Sequence, residues 1–302
     1  MADDFVLEVR FYQLAEHLQP YFTPLHCFCM EGGPDALLSD RVHPQWAALR
    51  FRQTGRHSSA GIYPDSTREV QPFFVTGPTS RAIMADIRPG RVWGIGIKPA
   101  GWSRYISAPA NKLADRIVDG TAEDGFEGFV PILEVVQRGG SESELAEQII
   151  DHLQRLEPQR PNSEEQVLAC HEVLLDPEVS DVVTLAERVG VQRRTLERLC
   201  ARNFGFSPKT LLRRQRFLRS LARFVIAPHQ HWTKVLDGQY VDQAHFVRDF
   251  RSFMGVTPSE FAESRAVHLD PSNLRQLFDH GVFPPSTLSD PSLSGAVGKS
   301  GD

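Results

Sequence analysis

The chain has little of what marks several protein classes. Its 302 residues hold only four cysteines, Cys27, Cys29, Cys170 and Cys200, whose spacing makes no disulfide framework, as expected in a reducing compartment. No apolar run reaches the length of a membrane span. The acidic start Met1-Ala2-Asp3-Asp4 lacks the basic beginning of a secretion signal. These absences point to the cytoplasm and away from any membrane. Signatures of catalysis are scarce too: there is no nucleophile motif, no phosphate-cradling glycine loop and no recognisable acid–base pair. His26-Cys27-x-Cys29 is followed by no second ligand pair at metal spacing, so it reads as strand. His229-x-His231 reads as a solvated turn. No enzyme, cofactor or metal is expected.

Net charge is small as well, at −5, but it is unevenly distributed. Residues 1–162 carry 16 basic and 21 acidic side chains, and residues 163–265 carry 15 and 13. Residues 188–223 alone carry 11 basic side chains against one acidic one, Glu197. One dense basic segment in an acidic chain is a single address for phosphate, not a general polyanion surface.

The length suggests two domains. Residues 5–98 read as strand and turn: Trp46 to Arg52 alternates near its end, Phe73-Phe74-Val75 stops at Gly77-Pro78, and Ala82 to Ile87 stops at Pro89-Gly90. Val92 to Ile97 places Val92, Gly94 and Gly96 on one side. Glycines on one strand face mark close packing or room for a ligand, and packing is the plainer account. Short runs punctuated by proline and glycine predict an antiparallel sandwich or small barrel. Helical spacing follows, with Leu145, Ile149, Leu153 and Leu156 after a Ser141 cap. Residues 157–162 read as a linker because each proline disfavours helix before it. Two roles fit the N-terminal part. In one, a small-molecule pocket is lined by Trp46, Phe51, Trp93 and Trp102, unless these are core. In the other, the 141–156 helix is a protein-interaction or dimer contact.

The informative stretch is 181–261, where the sequence repeats itself after fifty positions. Val191 falls on Val241, Leu196 on Phe246, Arg198 on Arg248, Gly205 on Gly255 and Pro208 on Pro258. Solenoids with such periods need at least three copies, so two copies point to a paired reader. Asp181 is the expected cap of 182–189, Gly190 the turn, and 192–203 the first reading helix, with Arg194, Glu197 and Arg198 on its outer side. A connector helix follows from Ser207-Pro208 to about Val225. Residues 232–238 are the expected second supporting helix. Asp242 caps the second reading helix, and Thr257-Pro258-Ser259-Glu260 forms a capping box. Ser163 is the expected cap of 163–175, and 286–302 is compositionally disordered.

Leu185 to Val191, Arg194 to Arg198 and Gly205 to Pro208 resemble the first repeat of AraC/XylS-type transcription regulators. Asp242 to Phe246, Arg248-Asp249-Phe250 and Gly255 to Pro258 resemble its second. Residues 73–120 more loosely resemble a β-rich regulatory domain found in part of that family. The N-terminal half lacks the His-x-His and downstream Glu of metal-binding cupins. The resemblance implies an α+β protein of two domains. Residues 1–160 would be a regulatory β-sandwich or cupin-like barrel with flanking helices. Residues 161–265 would be an all-α double helix-turn-helix, and 266–302 an extension. Base contacts would fall to Arg194, Glu197, Arg198, Ala244, His245 and Arg248, and backbone contacts to Arg193, Arg202, Arg213, Arg214 and Arg251. Implied partners are double-stranded DNA, RNA polymerase, a small-molecule effector and a second copy of the chain. Gln192 departs from the pattern where a good cap is usual, as does Cys200 where phenylalanine is.

Overall fold

The computed structural model describes residues 5–55, 58–159, 163–226, 231–234 and 236–263. The expected extension at 266–302 lies outside them, as does His229.

Alternation organises the first half. In strand β4 (Ala47–Gly55), Ala47, Leu49 and Phe51 are buried on one face, while Arg50 and Arg52 take the other. The same two-residue period runs through β1 (Phe5–Tyr12), β2 (Leu25–Gly32), β7 (Phe73–Thr76) and β9 (Gly90–Ile97). With the short β10 (Ile117–Asp119) these form a six-stranded sheet in the order β1-β2-β9-β4-β7-β10. A second sheet, ordered β3-β8-β5-β6, contains β3 (Leu38–Val42), β5 (Ser59–Ile62), β6 (Arg68–Glu69) and β8 (Ile83–Ile87).

The two faces of the large sheet do different things. One buries Leu25, Leu49, Phe51, Phe73, Trp93 and Ile95 under helices α1 (Pro99–Tyr105), α2 (Val130–Arg138) and α3 (Glu142–Gln154). The other faces the small sheet across a cavity. The two sheets remain separate ladders among the described residues, which meets the expectation of a β-rich half without a closed barrel there.

Trp46, Phe51, Trp93 and Trp102 are each at most 4% exposed. This corrects the aromatic-pocket reading: their rings are core, and none lines the cavity between the sheets. Helix α3 also spends its apolar stripe, Leu145, Ala146, Ile149 and Leu153, on that core. Little apolar surface is left on it for a dimer contact.

The second half is helical: α4 (Glu164–Leu175), α5 (Val182–Val189), α6 (Arg193–Phe204), α7 (Pro208–Ile226), α8 (Gln243–Met254) and α9 (Pro258–Glu263). The 19-residue α7 rises about 28 Å at 1.5 Å per residue. Its Leu211 and Leu212 join the core of α4–α6, and its Phe217, Leu218 and Leu221 join that of α8 and α9. Each of these cores also takes in residues from the first half: Trp46 and Ala100 in one, Ala82 in the other.

Candidate nucleic-acid interface

The first reader is a short helix held at both ends by local chemistry. Asp181 Oδ1 accepts from the amides of Val183 and Thr184 at 2.8 and 3.0 Å, starting α5. Helix α6 starts without such help, since Gln192 makes no side-chain cap bond. It ends at Gly205, whose φ of 85° is left-handed, as is the 75° of its repeat partner Gly255 after α8. A side chain at either glycine would be strained, and at Gly255 it would also strike the Tyr63 ring at 2.6 Å. Leu196, Leu199, Cys200 and Asn203 pack inward from α6. Arg193, Arg194, Glu197, Arg198 and Arg202 are exposed, with Arg193 Nε 3.1 Å from Glu197 Oε1.

The second reader is capped by Asp242, which accepts from the His245 amide at 2.6 Å. The capping box at α9 is present, with Thr257 N donating to Glu260 Oε2 at 2.6 Å and Glu260 N to Thr257 Oγ1 at 3.2 Å. The supporting segment departs from expectation: among the described residues, a 3-10 turn, Trp232–Lys234, precedes the aromatic core. Its Trp232 ring stacks on Phe246 with centroids 5.7 Å apart. Ser163 likewise makes no side-chain cap bond to α4.

Helix α8 is held to the connector by charge. Asp249, 3% exposed at its side chain, receives Arg213 at 2.6 Å, Arg216 at 3.1 Å and the Tyr240 hydroxyl at 3.1 Å. His245 is half-buried, its Nε2 3.1 Å from Arg216 Nη2. Ala244, Arg248 and Arg251 are exposed.

One backbone-contact expectation needs correction. Arg214 has no exposed surface: its guanidinium lies 3.9 Å over the Trp46 ring and donates to the Thr79 carbonyl at 3.0 Å. Burial holds its pKa down at about 9. Arg213 is bound to Asp249 and lies 4.9 Å over the Phe253 ring. Arg214 faces the interior because the connector is a core helix, which a basic run alone does not reveal, whereas the Arg213 side chain is 39% exposed.

The readers also touch the first half. Ala82 N donates to the carbonyl of Phe253 at 2.6 Å, and Arg41 Nη1 to that of Met254 at 2.5 Å. Both acceptors are in the last turn of α8. Tyr21 and Arg104 bind Glu164, in the first turn of α4, at 2.6 and 2.9 Å.

The intersheet cavity, of about 120 Å³, was not foreseen in its composition. Arg50 and Arg52 line it beside His26, Phe28, Phe74 and Val92. The available signal was the period-two placement of Arg50 and Arg52 opposite Gly94 and Val92. A side chain at Gly94 would meet His26 Nε2 at 2.3 Å, so that glycine makes room for the imidazole.

Residues 185–264 match the family model described as "Helix-turn-helix domain". No curated protein matches the chain. Among solved structures, ToxT from Vibrio cholerae O395 bound to (E)-4-(8-methylnaphthalen-1-yl)but-3-enoic acid is similar at 12% identity and a TM-score of 0.44, over 86% of this chain and 98% of that one. Unsaturated fatty acid-bound wild-type ToxT from Vibrio cholerae strain SCE256 is similar at 9% identity and 0.42, over 87% and 96%. The AraC-like transcriptional activator CuxR is similar at 14% and 0.25, over 72% and 87%. Residues 185–264 are therefore a helix-turn-helix domain.

Proposed function

We propose that the protein is a sequence-specific, DNA-binding transcription regulator. The observation that carries this reading is the pair of matched short helices, α6 and α8, each stopped by a left-handed glycine and each presenting exposed arginine. Such a helix fits the major groove, where arginine pairs bidentately with guanine O6 and N7. Glu197 suits cytosine N4. The first reader offers Arg194, Glu197 and Arg198 to base edges, whereas the second offers Ala244 and Arg248, with His245 already engaged by Arg216. Most specificity then lies in α6, and α8 mainly adds affinity. The β-rich half acts as the regulatory part, through its cavity.

Selection of bound sequences from random duplex DNA with the full-length protein tests this. A bipartite motif with its parts about one helical turn apart, roughly 10 bp, is the expected result. Arg194→Ala erases base preference in one part, while Arg248→Ala lowers affinity and leaves the motif intact. Equal loss of preference in both variants would reject the division of labour. Salt-sensitive binding with no motif would reject sequence reading.

A further inference from the structure

The loop between β7 and β8 runs through the interior of the molecule, with Gly77, Pro78, Thr79 and Ala82 buried in it. Loops ordinarily stay at the surface, because a buried one must find partners for its backbone polar groups. This one finds them in both halves. Within the β-rich half, Gly77 N donates to the Arg116 carbonyl and Thr79 N to the Gln45 carbonyl, both at 3.0 Å. Toward the helices, the Pro78 ring abuts Gly205 at the end of α6, where an added Cβ would meet it at 3.2 Å. The Thr79 carbonyl accepts from Nη1 of the connector's Arg214 at 3.0 Å, and Ala82 N donates to the Phe253 carbonyl at 2.6 Å. The stretch 77–82 thus touches, in turn, the end of the first reader, the connector and the end of the second reader.

Asp115 holds the loop in place. Its carboxylate accepts from Ser80 N and Ser80 Oγ, both at 2.6 Å, and its own amide donates to the Pro78 carbonyl at 2.9 Å. With φ at 54°, Asp115 is the one non-glycine residue in left-handed backbone among the described residues. Such a conformation persists where its surroundings impose it, and it gathers at functional positions. The second reader depends on the same region from its own side. The last carbonyls of a helix have no partner within it. For α8 the β-rich half supplies them, through Ala82 N to Phe253 and Arg41 Nη1 to Met254. The ends of the loop lie in different sheets, β7 in the large one and β8 in the small one, so its position is set by both.

We propose that residues 77–82 are a strap that fixes the separation and angle of the two readers, with Asp115 as the positioning residue that holds it. The proposal rests on the DNA-reading function above and adds its spacing rule. The β-rich half, and not the connector alone, sets the distance between the half-sites that the protein accepts. Asp115→Gly removes both Ser80 bonds and keeps the left-handed backbone available. Asp115→Asn keeps an acceptor and tolerates that backbone. Two measurements on the full chain read the strap. The first is affinity for duplexes with the two selected half-motifs at the selected spacing, and with two base pairs inserted between them. The insertion displaces one half-motif by roughly 7 Å and 70°. The second is the DNA-free distance between spin labels at Glu197→Cys and Ser252→Cys, both exposed, one on each reader. The label chain carries Cys29→Ser, since the other three cysteines are buried.

The wild type should favour the selected spacing by about tenfold and show one narrow distance. Asp115→Gly should retain both half-motifs, lower the spacing preference to about threefold or less and broaden the distance. Asp115→Asn should stay near the wild type in both. Circular dichroism checks folding; should Asp115→Gly not fold, Ser80→Ala, which removes one of the two bonds, takes its place under the same criteria. A distance as narrow in the variant as in the wild type would overturn the proposal, because the connector alone would then hold the readers. A broadened distance with an unchanged spacing preference would overturn it as well, since the DNA would then impose the spacing. If selection yields no motif, the DNA reading fails, and the distance by itself decides for or against the strap.

Discussion

Among single residues, His171 shows how burial turns into pH dependence. Its ring sits edge-on to Trp46 at 5.3 Å, and its Nε2 is buried without a partner. Burial, then the Lys98 and Arg214 charges, push its pKa down to about 3. Below pH 6.5 the unfolded chain takes up a proton that the folded chain refuses. Stability is therefore lost as pH falls from about 6.5 toward 3, at a slope of about 1.4 kcal/mol per pH unit for one such group. His26, with its pKa near 4, adds to the upper part of that window. Denaturant titrations at pH 7, 6 and 5 should show the slope, and His171→Phe should reduce it by one proton. An unchanged slope in that variant would mean that His171 is not the buried neutral group. Neither histidine is legible in the sequence as a buried neutral group: His26 stands there as a strand residue and His171 carries no mark. What buries them is tertiary: Gly94 yields its space to His26, and the connector helix closes over Trp46 beside His171.

The helix ends were the most readable elements, because caps are local chemistry. Asp181, Asp242, Ser141 and the Thr257–Glu260 box all bond as their residue types require. The failures had tertiary causes. Residues 232–238 were expected to make a full supporting helix, yet a 3-10 turn suffices where Trp232 and Tyr240 can pack on Phe246. Helix α6 is the one reader without a side-chain cap, with Gln192 at that position in extended backbone, φ −68° and ψ 149°. That geometry already suits a short acceptor. Gln192→Ser should raise stability by about 0.5–1 kcal/mol through a bond to the second or third helical amide. Chemical denaturation reads this directly, and a null or negative change would show that those amides are already satisfied. The aromatic-pocket expectation failed for a different reason: large rings at strand positions say that a face is buried, not whether it faces helices or a cavity.

For the whole molecule, electrostatics must be counted after folding. Residues 188–223 read as a block of 11 basic side chains, but the fold divides it. Arg188 pairs with Asp176, Arg213 and Arg216 with Asp249, and Arg219 with Asp237, while Arg214 lies under Trp46 at the junction of the two halves. Cations facing solvent include Arg193, Arg194, Arg198, Arg202, Arg248 and Arg251 on the readers, and Lys209 and Arg223 on the connector. Each phosphate neutralised contributes about −0.9 to the slope of log K against log salt. Arg202→Ala and Arg251→Ala should each flatten that slope by about 0.9, with little change in sequence preference. Arg214→Met should leave the slope unchanged, because its charge lies between the protein's own layers. The measurement is a salt titration of binding to one selected duplex. A flatter slope in Arg214→Met would mean that DNA binding parts the connector from Trp46 and turns that guanidinium to phosphate. The contacts of Ala82 and Arg41 with the last turn of α8 would then open as well, making the junction between the halves the moving part.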